Sequence, residues 1–333
     1  MVGFFQMPER IKALEGWLRE CVGVAPFTLH PASGDASFRR YFRLLFPDGA
    51  SLIAMDAPPE RERCDAFVDL AGRLAAFGVH VPRVHAHDLE QGFVLLEDLG
   101  ERLYLDALDA GSVERLYGDA LATLVVIQAC GPRQDLPPYD APLLRRELAI
   151  FPEWLLEHRL GLRLDTATRT LLADAFERLV DNALEQPVVC VHRDYHSRNL
   201  LLTRSHNPGV IDFQDAVLGP VTYDLVSLLR DCYIAWPRER VEGWAMGYFQ
   251  LALQSGVVRP GDEARFLRWF DLMGMQRHLK AAGIFARLDC RDGKPGYLKE
   301  IPRTLGYVVE VAGRYPELAR FGAWIEACVL GRL

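Results

Sequence analysis

The sequence has few cysteines, and they follow no metal-binding or disulfide pattern. The seven are odd in number and include no C-x-x-C pair, so their spacing favours reduced, buried thiols over a zinc site or a disulfide framework. These residues are Cys21, Cys64, Cys130, Cys190, Cys232, Cys290 and Cys328.

Basic runs and long apolar segments are also missing. The formal net charge is -7, from 38 basic and 45 acidic residues without a Lys/Arg cluster, which argues against a nucleic-acid partner. The longest apolar-leaning stretch, around Ala120 to Pro132, is shorter than the roughly 18–20 residues that span a bilayer. The opening MVGFFQMPERIK lacks the features of a signal peptide. We therefore expect a soluble, cytoplasmic protein without a membrane partner, and the sequence does not predict its oligomeric state.

The 333 residues have ordinary globular composition, and their first hundred alternate between strand and helix patterns. Apolar spacing predicts a helix from Pro8 to about Val22. FRRYFRLLF, residues 38–46, alternates and is followed by the turn PDG and a partner strand SLIAM, which predicts a hairpin. A helix is predicted over about residues 60–77, and then RVHAHD and GFVLLED as two more strands.

From Gly100 onward the periodicity is mainly helical, with two short strands, VVCVH and GVIDF. We expect an α+β, bilobal fold, with a small antiparallel-sheet N-lobe over residues 1–99. The larger helical C-lobe is expected over residues 100–333. The predicted helices are about Val113–Cys130, Leu143–His158, Thr166–Leu184, Tyr223–Ala235, Glu239–Gln254 and Glu263–Leu288.

A polar segment, VHRDYHSRNLLL at residues 191–202, lies between the two short C-lobe strands. Asp194 and Asn199 are five residues apart and match the kinase catalytic loop H-R-D-x-x-x-x-N, while Asp212 follows 13 residues later in IDFQD. Phosphoryl transfer needs a carboxylate beside the acceptor hydroxyl and hard oxygen ligands for magnesium. Asp194 is therefore the predicted base, and Asn199 and Asp212 are the predicted metal ligands.

Other interpretations of this segment remain open. His192 fits a packed, hydrogen-bonded structural role better than a catalytic one. His192, Asp194 and His196 also resemble an H-x-D-x-H metal box, although no second cluster supplies further zinc ligands. A metal hydrolase and a nucleotide-binding pseudokinase are the two alternatives from other functional classes.

VCVHRDYHSRNLLL and GVIDFQDAVLGPVTYDLVSLL together resemble the aminoglycoside phosphotransferase and choline kinase family, whose loop reads H-x-D-x-H-x-x-N. With SLIAMDAPPE and VLLEDLG, the chain is most similar to bacterial cell-wall sugar kinases that phosphorylate the anomeric hydroxyl of N-acetylmuramate and N-acetylglucosamine. This resemblance implies a protein-kinase-like fold, in which the N-lobe binds nucleotide and the C-lobe holds the catalytic loop and substrate site. It also implies ATP and Mg²⁺, a sugar acceptor and a product α-1-phosphate for peptidoglycan recycling. The same-fold alternative is an aminoglycoside or choline kinase.

The resemblance also implies roles for other positions. Gly34 and Ser37 fall where a phosphate-covering turn belongs, and Glu97 and Leu99 fall where backbone groups bind adenine. Asp224 corresponds to a structural acid that braces the loop after the magnesium aspartate.

One position departs from the family pattern. Met55 stands where a lysine for the nucleotide phosphates is expected. Arg39, Arg40 or Arg43 is expected to replace that cation, oriented by Glu60 or Glu62; Arg43 is included in the predicted nucleotide site.

The acceptor side is predicted from mixed polar groups, because kinases of cationic substrates surround the acceptor with carboxylates. In DLMGMQRHLKAAGIFARL, Gln276, Arg277 and His278 suit a neutral or anionic sugar, and Arg277 is expected to receive a lactyl carboxylate. The predicted substrate residues are Tyr195, His196, Gln214, Gln276 and Arg277.

Overall fold

A computed structural model describes residues 7–34, 39–62 and 64–333 of the chain. The chain forms two compact units. The first comprises Met1–Arg102 and Leu201–Gln214, and the second comprises Leu103–Leu200 and Asp215–Leu333. A stretch of the predicted C-lobe thus belongs to the first unit, and the functional roles assigned to residues 1–99 and 100–333 stay predictions.

The first unit is built on a five-stranded antiparallel sheet of order β1-β2-β3-β5-β4. The predicted hairpin is confirmed, because β2 and β3 are joined by a turn in which Gly49 has a φ of +86°. Glycine tolerates this left-handed conformation at little cost. The elements are α1 (Met7–Val22), β1 (Thr28–Gly34), β2 (Arg40–Leu45), β3 (Ser51–Asp56), α2 (Cys64–Ala76), β4 (Val84–Asp88) and β5 (Phe93–Glu97).

The core of the first unit forms between the apolar face of α1 and one face of the sheet. Leu14 and Leu18, one helical turn apart on α1, are fully buried together with side chains from alternate positions of the sheet. The buried cluster consists of Leu14, Leu18, Leu44, Ala54, Phe93 and Leu95.

The second unit is mostly helical. Asp140 and Asp165 begin two of its helices, since their side chains accept hydrogen bonds from the N–H groups of Leu143 at 3.0 Å and Thr168 at 2.8 Å. The helices are α3 (Tyr104–Ala107), α4 (Val113–Cys130), α5 (Ala141–Ile150), α6 (Thr166–Leu184), α7 (Tyr223–Leu229), α8 (Arg238–Gln254), α9 (Glu263–Cys290), α10 (Ile301–Ala312) and α11 (Ala319–Cys328), with short 3₁₀ helices at Pro260–Asp262, Pro295–Glu300 and Leu330–Arg332.

The predicted helix over Leu143–His158 changes type part-way. A π-helix, Phe151–Arg159, continues from α5, and Pro152 near its start has no N–H to donate to a carbonyl four residues earlier. Gly283 of α9 lies against this junction. A Cβ at Gly283 would be 2.7 Å from the Ile150 carbonyl and the Phe151 nitrogen, so only glycine allows this approach.

Two expectations about the second half of the chain were wrong. Four short strands occur where two were predicted, because β7 and β9 are too short or too rich in Gly and Pro to show a period. The helix predicted over Tyr223–Ala235 ends at Leu229, since Asp231 accepts a hydrogen bond from the Tyr233 N–H at 2.9 Å and turns the chain. The strands are β6 (Val188–Val191), β7 (Leu200–Leu201), β8 (Gly209–Val210) and β9 (Val217–Pro220).

Helices α10 and α11 were not predicted. Within the described residues, no helix combines the length and apolarity needed to cross a membrane.

Candidate active site

The loop that follows β6 carries Asp194 and Asn199 in a fixed backbone conformation. The Asn199 side-chain amide donates to the Asp194 carbonyl at 3.0 Å, and the His196 N–H donates to the same oxygen at 3.0 Å. Arg193, with a φ of +78°, takes a left-handed conformation that is costly for a non-glycine residue. The loop therefore holds Asn199 against the main chain of Asp194.

Asp224 of α7 fixes the start of this loop. Its fully buried carboxylate accepts from the backbone N–H of His192 at 2.6 Å and of Arg193 at 2.9 Å. Burial raises the pKa of Asp224 to about 6, although both N–H groups act to lower it. The expected structural acid is thus present, but it braces the loop that carries Asp194 and not the loop after Asp212.

Asp231 is a second brace, which the sequence analysis missed. Its buried carboxylate accepts from the Ser197 N–H at 3.0 Å and from Ser197 Oγ at 2.5 Å. The only sequence signal was an acid in DCY at the end of a largely apolar helix. Asp224 and Asp231 together hold both halves of the loop from α7 and its C-terminal extension.

Glu147 of α5 joins the loop to α9, and it was also missed. Its buried carboxylate pairs with Arg193 and with Lys280, the latter at 3.0 Å, and accepts a hydrogen bond from the Tyr139 hydroxyl. Lys280 also donates to the Tyr223 hydroxyl at 3.0 Å. Burial acts to raise the pKa of Glu147, but the cations outweigh burial and lower it, so this carboxylate is ionised.

Cations dominate the electrostatic surroundings of Asp194. Burial acts to raise the pKa of Asp194, but Lys280, Arg277 and Arg193 overcome this effect and hold the pKa below its ordinary value. Asp194 is therefore ionised at neutral pH, as a base must be before it accepts a proton.

The two loop histidines are in contact with their neighbours. The Asp194 N–H lies 3.3 Å from His192 Nδ1, and the ring of the half-buried His196 meets Tyr233 edge-on at 5.6 Å. Burial lowers the pKa of His196 to about 4. No group of three or more His, Cys, Asp or Glu side chains in the described ranges is arranged to hold a metal ion.

Two predicted acceptor residues have structural roles instead. Tyr195 is fully buried, and its hydroxyl donates to the Ala120 carbonyl at 2.9 Å, which leaves no surface for a substrate. His278 is buried with Nε2 at 2.8 Å from the Arg230 carbonyl, and burial lowers its pKa to about 3. Both look polar in sequence, and only packing reveals their orientation.

Gln276 and Arg277 of α9 lie within the same polar interior as Glu147. The Gln276 amide nitrogen lies 3.3 Å from the Tyr139 hydroxyl and 3.5 Å from Glu147. Arg277 Nη1 donates to Cys232 Sγ at 3.7 Å. Gln276 Oε1 and Arg277 Nε are buried without a hydrogen-bond partner among the described residues.

Asp212 and Gln214 belong to the first unit. The Gln214 amide donates to Asp212 Oδ1 at 2.7 Å, and Asp212 has a φ of +65°. Phe213 between them is buried and stacks on Phe67 of α2 at 4.9 Å. Phe213 anchors the segment. Gln214 is a hydrogen-bond partner of Asp212, the predicted metal ligand. Its contact with substrate stays a prediction.

The predicted adenine site lies at the end of β5. The Glu97 N–H donates to the Arg83 carbonyl at 2.8 Å, whereas the N–H of Leu99 makes no hydrogen bond with any described residue. Gly34 ends β1 opposite Arg40. Ser37 lies outside the described residues.

Two of the arginines expected to replace the missing lysine, Arg39 and Arg43, lie in different ion pairs. Arg43 is bound on two sides by Asp98, at 2.6 and 3.2 Å, and also pairs with Glu101 at 2.9 Å. These carboxylates hold Arg43 at the end of β5 and balance its charge.

Arg39, in contrast, pairs with Glu62 at 2.9 Å just before α2 and is 9% exposed. Arg40 pairs with Asp56, and Arg10 binds the same carboxylate at 2.7 Å.

A five-stranded antiparallel sheet, a mostly helical second unit and a loop with Asp194 and Asn199 are the parts of a protein-kinase-like fold. The chain belongs to the phosphotransferase enzyme family, whose model matches residues 28–267. This membership confirms the predicted resemblance.

Curated relatives are similar over nearly the whole chain. The chain is 47% identical over 338 residues to the N-acetylmuramate/N-acetylglucosamine kinase of Pseudomonas putida, which covers 98% of this chain and 99% of that relative. It is 48% identical over 332 residues to the kinase of the same name from Pseudomonas aeruginosa, with 97% and 98% covered.

Among solved structures, the fold is similar to that of choline kinase from Cryptosporidium parvum. The TM-score is 0.64 at 11% identity, and the match covers 95% of this chain and 99% of that one. At this identity the similarity shows the fold alone.

Proposed function

We propose that the protein is an ATP-dependent kinase of N-acetylmuramate and N-acetylglucosamine that phosphorylates the anomeric C1 hydroxyl. The product would be the α-1-phosphate used in peptidoglycan recycling, and the cytoplasm, where ATP is available, is the proposed setting. The observation that carries this proposal is the 47–48% identity, over nearly full length, to two kinases named for these sugars.

Asp194 is the proposed base. Its carboxylate would accept the proton of the C1 hydroxyl as the oxygen attacks the terminal phosphorus of ATP, and ADP would leave. The cations around Asp194 that lower its pKa support this role, since they keep the carboxylate ionised. Asp224 and Asp231 would preserve the loop geometry on which the proton transfer depends.

Asn199 and Asp212 are the proposed magnesium ligands. An amide oxygen and a carboxylate oxygen form the hard donor set that Mg²⁺ prefers, and these residue types therefore fit the ion. When bound, magnesium neutralises charge on the nucleotide phosphates. The Gln214 amide, which donates to Asp212, would hold that carboxylate in one orientation.

Arg39 is the proposed contact of the nucleotide phosphates, with Glu62 orienting its guanidinium. The Leu99 N–H and backbone groups of Glu97 would bind adenine, and Gly34 and Ser37 would cover the phosphates with backbone amides.

The charge near Asp194 favours these sugars over aminoglycosides or choline. Arg193, Arg277 and Lys280 all interact electrostatically with Asp194. A cationic acceptor beside these groups would meet like charge and lose its hydration, whereas a neutral or anionic sugar would not. His196 is the proposed neutral hydrogen-bonding group on the acceptor side, because Gln276, like Tyr195, is fully buried.

An ADP-release assay over N-acetylmuramate, N-acetylglucosamine, an aminoglycoside and choline tests the proposal. We expect turnover with the two sugars, and phosphorus NMR of the product should show an α-anomeric phosphate. Turnover with only the cationic acceptors would show that the protein is instead an aminoglycoside or choline kinase. ATP binding without turnover on any acceptor would indicate a pseudokinase.

A further inference from the structure

Arg277 is a buried cation that forms no ion pair with an acid among the described residues. It is 6% exposed, and its one hydrogen bond within the described part of the chain is to Cys232 Sγ at 3.7 Å, while its Nε is buried and unpartnered. Burial raises the pKa of the Cys232 thiol, so the sulfur is neutral and does not balance the guanidinium charge.

The other two buried cations of the second unit, Arg230 and Lys280, do have acidic partners, as do the less buried Arg193 and Arg238. Their ion pairs are Arg193 with Glu147, Lys280 with Glu147 at 3.0 Å, Arg230 with Glu310 at 2.9 Å, and Arg238 with Asp271 at 2.8 Å. Among the buried cations of this unit, within the described residues, Arg277 alone forms no ion pair. Because an unpaired buried charge is costly, a position of this kind indicates an anionic partner from outside the chain.

The acids nearest to Arg277 are already engaged. Asp231 is bound by Ser197, and Asp194 is under the influence of Lys280 and Arg193 as well. Each interacts with Arg277 through space without forming an ion pair. The guanidinium fork is thus available for a carboxylate, which it binds through two parallel hydrogen bonds.

Arg277 also lies on the proposed acceptor side. Its partner Cys232 precedes Tyr233, whose ring contacts His196, and His196 is two residues from Asp194. The two sugars in the names of the relatives differ by a lactyl ether at O3, which gives N-acetylmuramate a carboxylate that N-acetylglucosamine lacks.

We propose that Arg277 binds the lactyl carboxylate and is the residue that favours N-acetylmuramate over the neutral sugar. This inference rests on the proposed function. The carboxylate is remote from the reacting hydroxyl. Loss of the contact between Arg277 and the carboxylate would therefore weaken recognition of N-acetylmuramate, and the neutral sugar would still reach Asp194.

The experiment compares kcat/KM of wild type, Arg277→Gln and Arg277→Lys for three acceptors: N-acetylmuramate, its carboxyl methyl ester and N-acetylglucosamine. In wild type, we expect the ester to lose about 30- to 100-fold relative to the acid, as for a charge-assisted bidentate pair. In Arg277→Gln the acid and ester should differ by less than about threefold, and Arg277→Lys should retain part of the preference.

Arg287→Gln is the matched control, since Arg287 lies on the same helix and also has a buried, unpartnered Nε, but interacts with Arg291 and Asp292. Its acid-to-ester ratio should equal that of wild type. Thermal unfolding of each variant separates a folding defect from a change in preference.

Equal use of acid and ester by wild type overturns the inference and leaves the proposed function intact, and this comparison holds even when Arg277→Gln does not fold. A preserved acid preference in a folded Arg277→Gln overturns it too. Absence of turnover on both sugars in wild type overturns the proposed function itself, and the inference with it.

Discussion

Lys280 forms a 3.0 Å ion pair with Glu147 in the interior of the second unit. The same carboxylate binds Arg193 and the Tyr139 hydroxyl, so one acid from α5 holds the catalytic loop and α9 together. We expect Glu147→Gln to lower the free energy of unfolding by about 3–5 kcal/mol, because the buried Lys280 and the half-buried Arg193 lose their counterion. Urea denaturation followed by circular dichroism measures this loss.

Glu177→Gln is the control for that variant. Glu177 pairs with Arg145 at 2.6 Å, but both side chains are 52% exposed, and water screens the pair. The control should unfold at the wild-type urea concentration. A Glu147→Gln midpoint that also matches wild type would contradict the bridging role of this carboxylate.

Asp194→Asn should lower kcat by about 10²- to 10⁴-fold, the usual contribution of a general base. The Asn199 amide donates to the backbone carbonyl of Asp194, so the substitution keeps that contact and the loop conformation. The affinity for ATP, measured by calorimetry, should therefore stay within about threefold of wild type.

The pH dependence gives a second check on Asp194. Since its pKa lies below the ordinary carboxyl value, Asp194 should give kcat no acid-side inflection between pH 5 and pH 8. An inflection near pH 6 that persists in Asp224→Asn would contradict the cationic environment, because Asp224 itself titrates near this pH in wild type. Asp174→Asn, which changes an exposed acid on α6, should leave both the rate and its pH profile as in wild type.

Arg39→Met should raise the KM for ATP by about 10- to 100-fold, the loss expected for one charge-assisted contact with phosphate. Arg40→Met is the comparison, because Arg10 still pairs with Asp56 after that change. Steady-state kinetics at saturating sugar measures both values. A larger increase for Arg40→Met would reassign the cation that replaces the lysine expected at Met55.

Local patterns predicted much of this architecture. Helices α4 and α6 end at the predicted residues, and the β2–β3 hairpin forms where alternation and the turn PDG indicated it. These features depend on periods of 3.6 or 2 residues and on turn chemistry, which are present in any short stretch of sequence.

The bracing acids could not be predicted in the same way. Glu147 reaches Arg193 across 46 residues of chain, and only the tertiary fold brings them together. A charged residue within an amphipathic helix looks the same in sequence whether it faces solvent or a buried cation. The burial of Tyr195, which was predicted to contact the substrate, could not be foreseen for a related reason. Its neighbours in the fold, and not its own chemistry, decide where the ring packs.

The raised pKa of Asp224 makes stability depend on pH in a specific window. The ordinary pKa of this carboxyl is 3.8 and its pKa in the folded protein is about 6, so the folded protein binds the carboxyl proton more tightly than the unfolded chain does. The stability that protonation contributes is therefore fully present below pH of about 4 and is lost as the pH rises through about 6.

Asp224→Asn removes this titration, which makes the difference between the two proteins the informative quantity. The free energy of unfolding of wild type minus that of Asp224→Asn should fall by about 2.4 kcal/mol between pH 4 and pH 7, since each pKa unit corresponds to about 1.4 kcal/mol. Urea unfolding of both proteins at half-unit pH steps measures the difference. Other titrating groups cancel in the subtraction, so a constant difference across the window would show that the carboxylate has an ordinary pKa and that its two backbone N–H bonds compensate for burial.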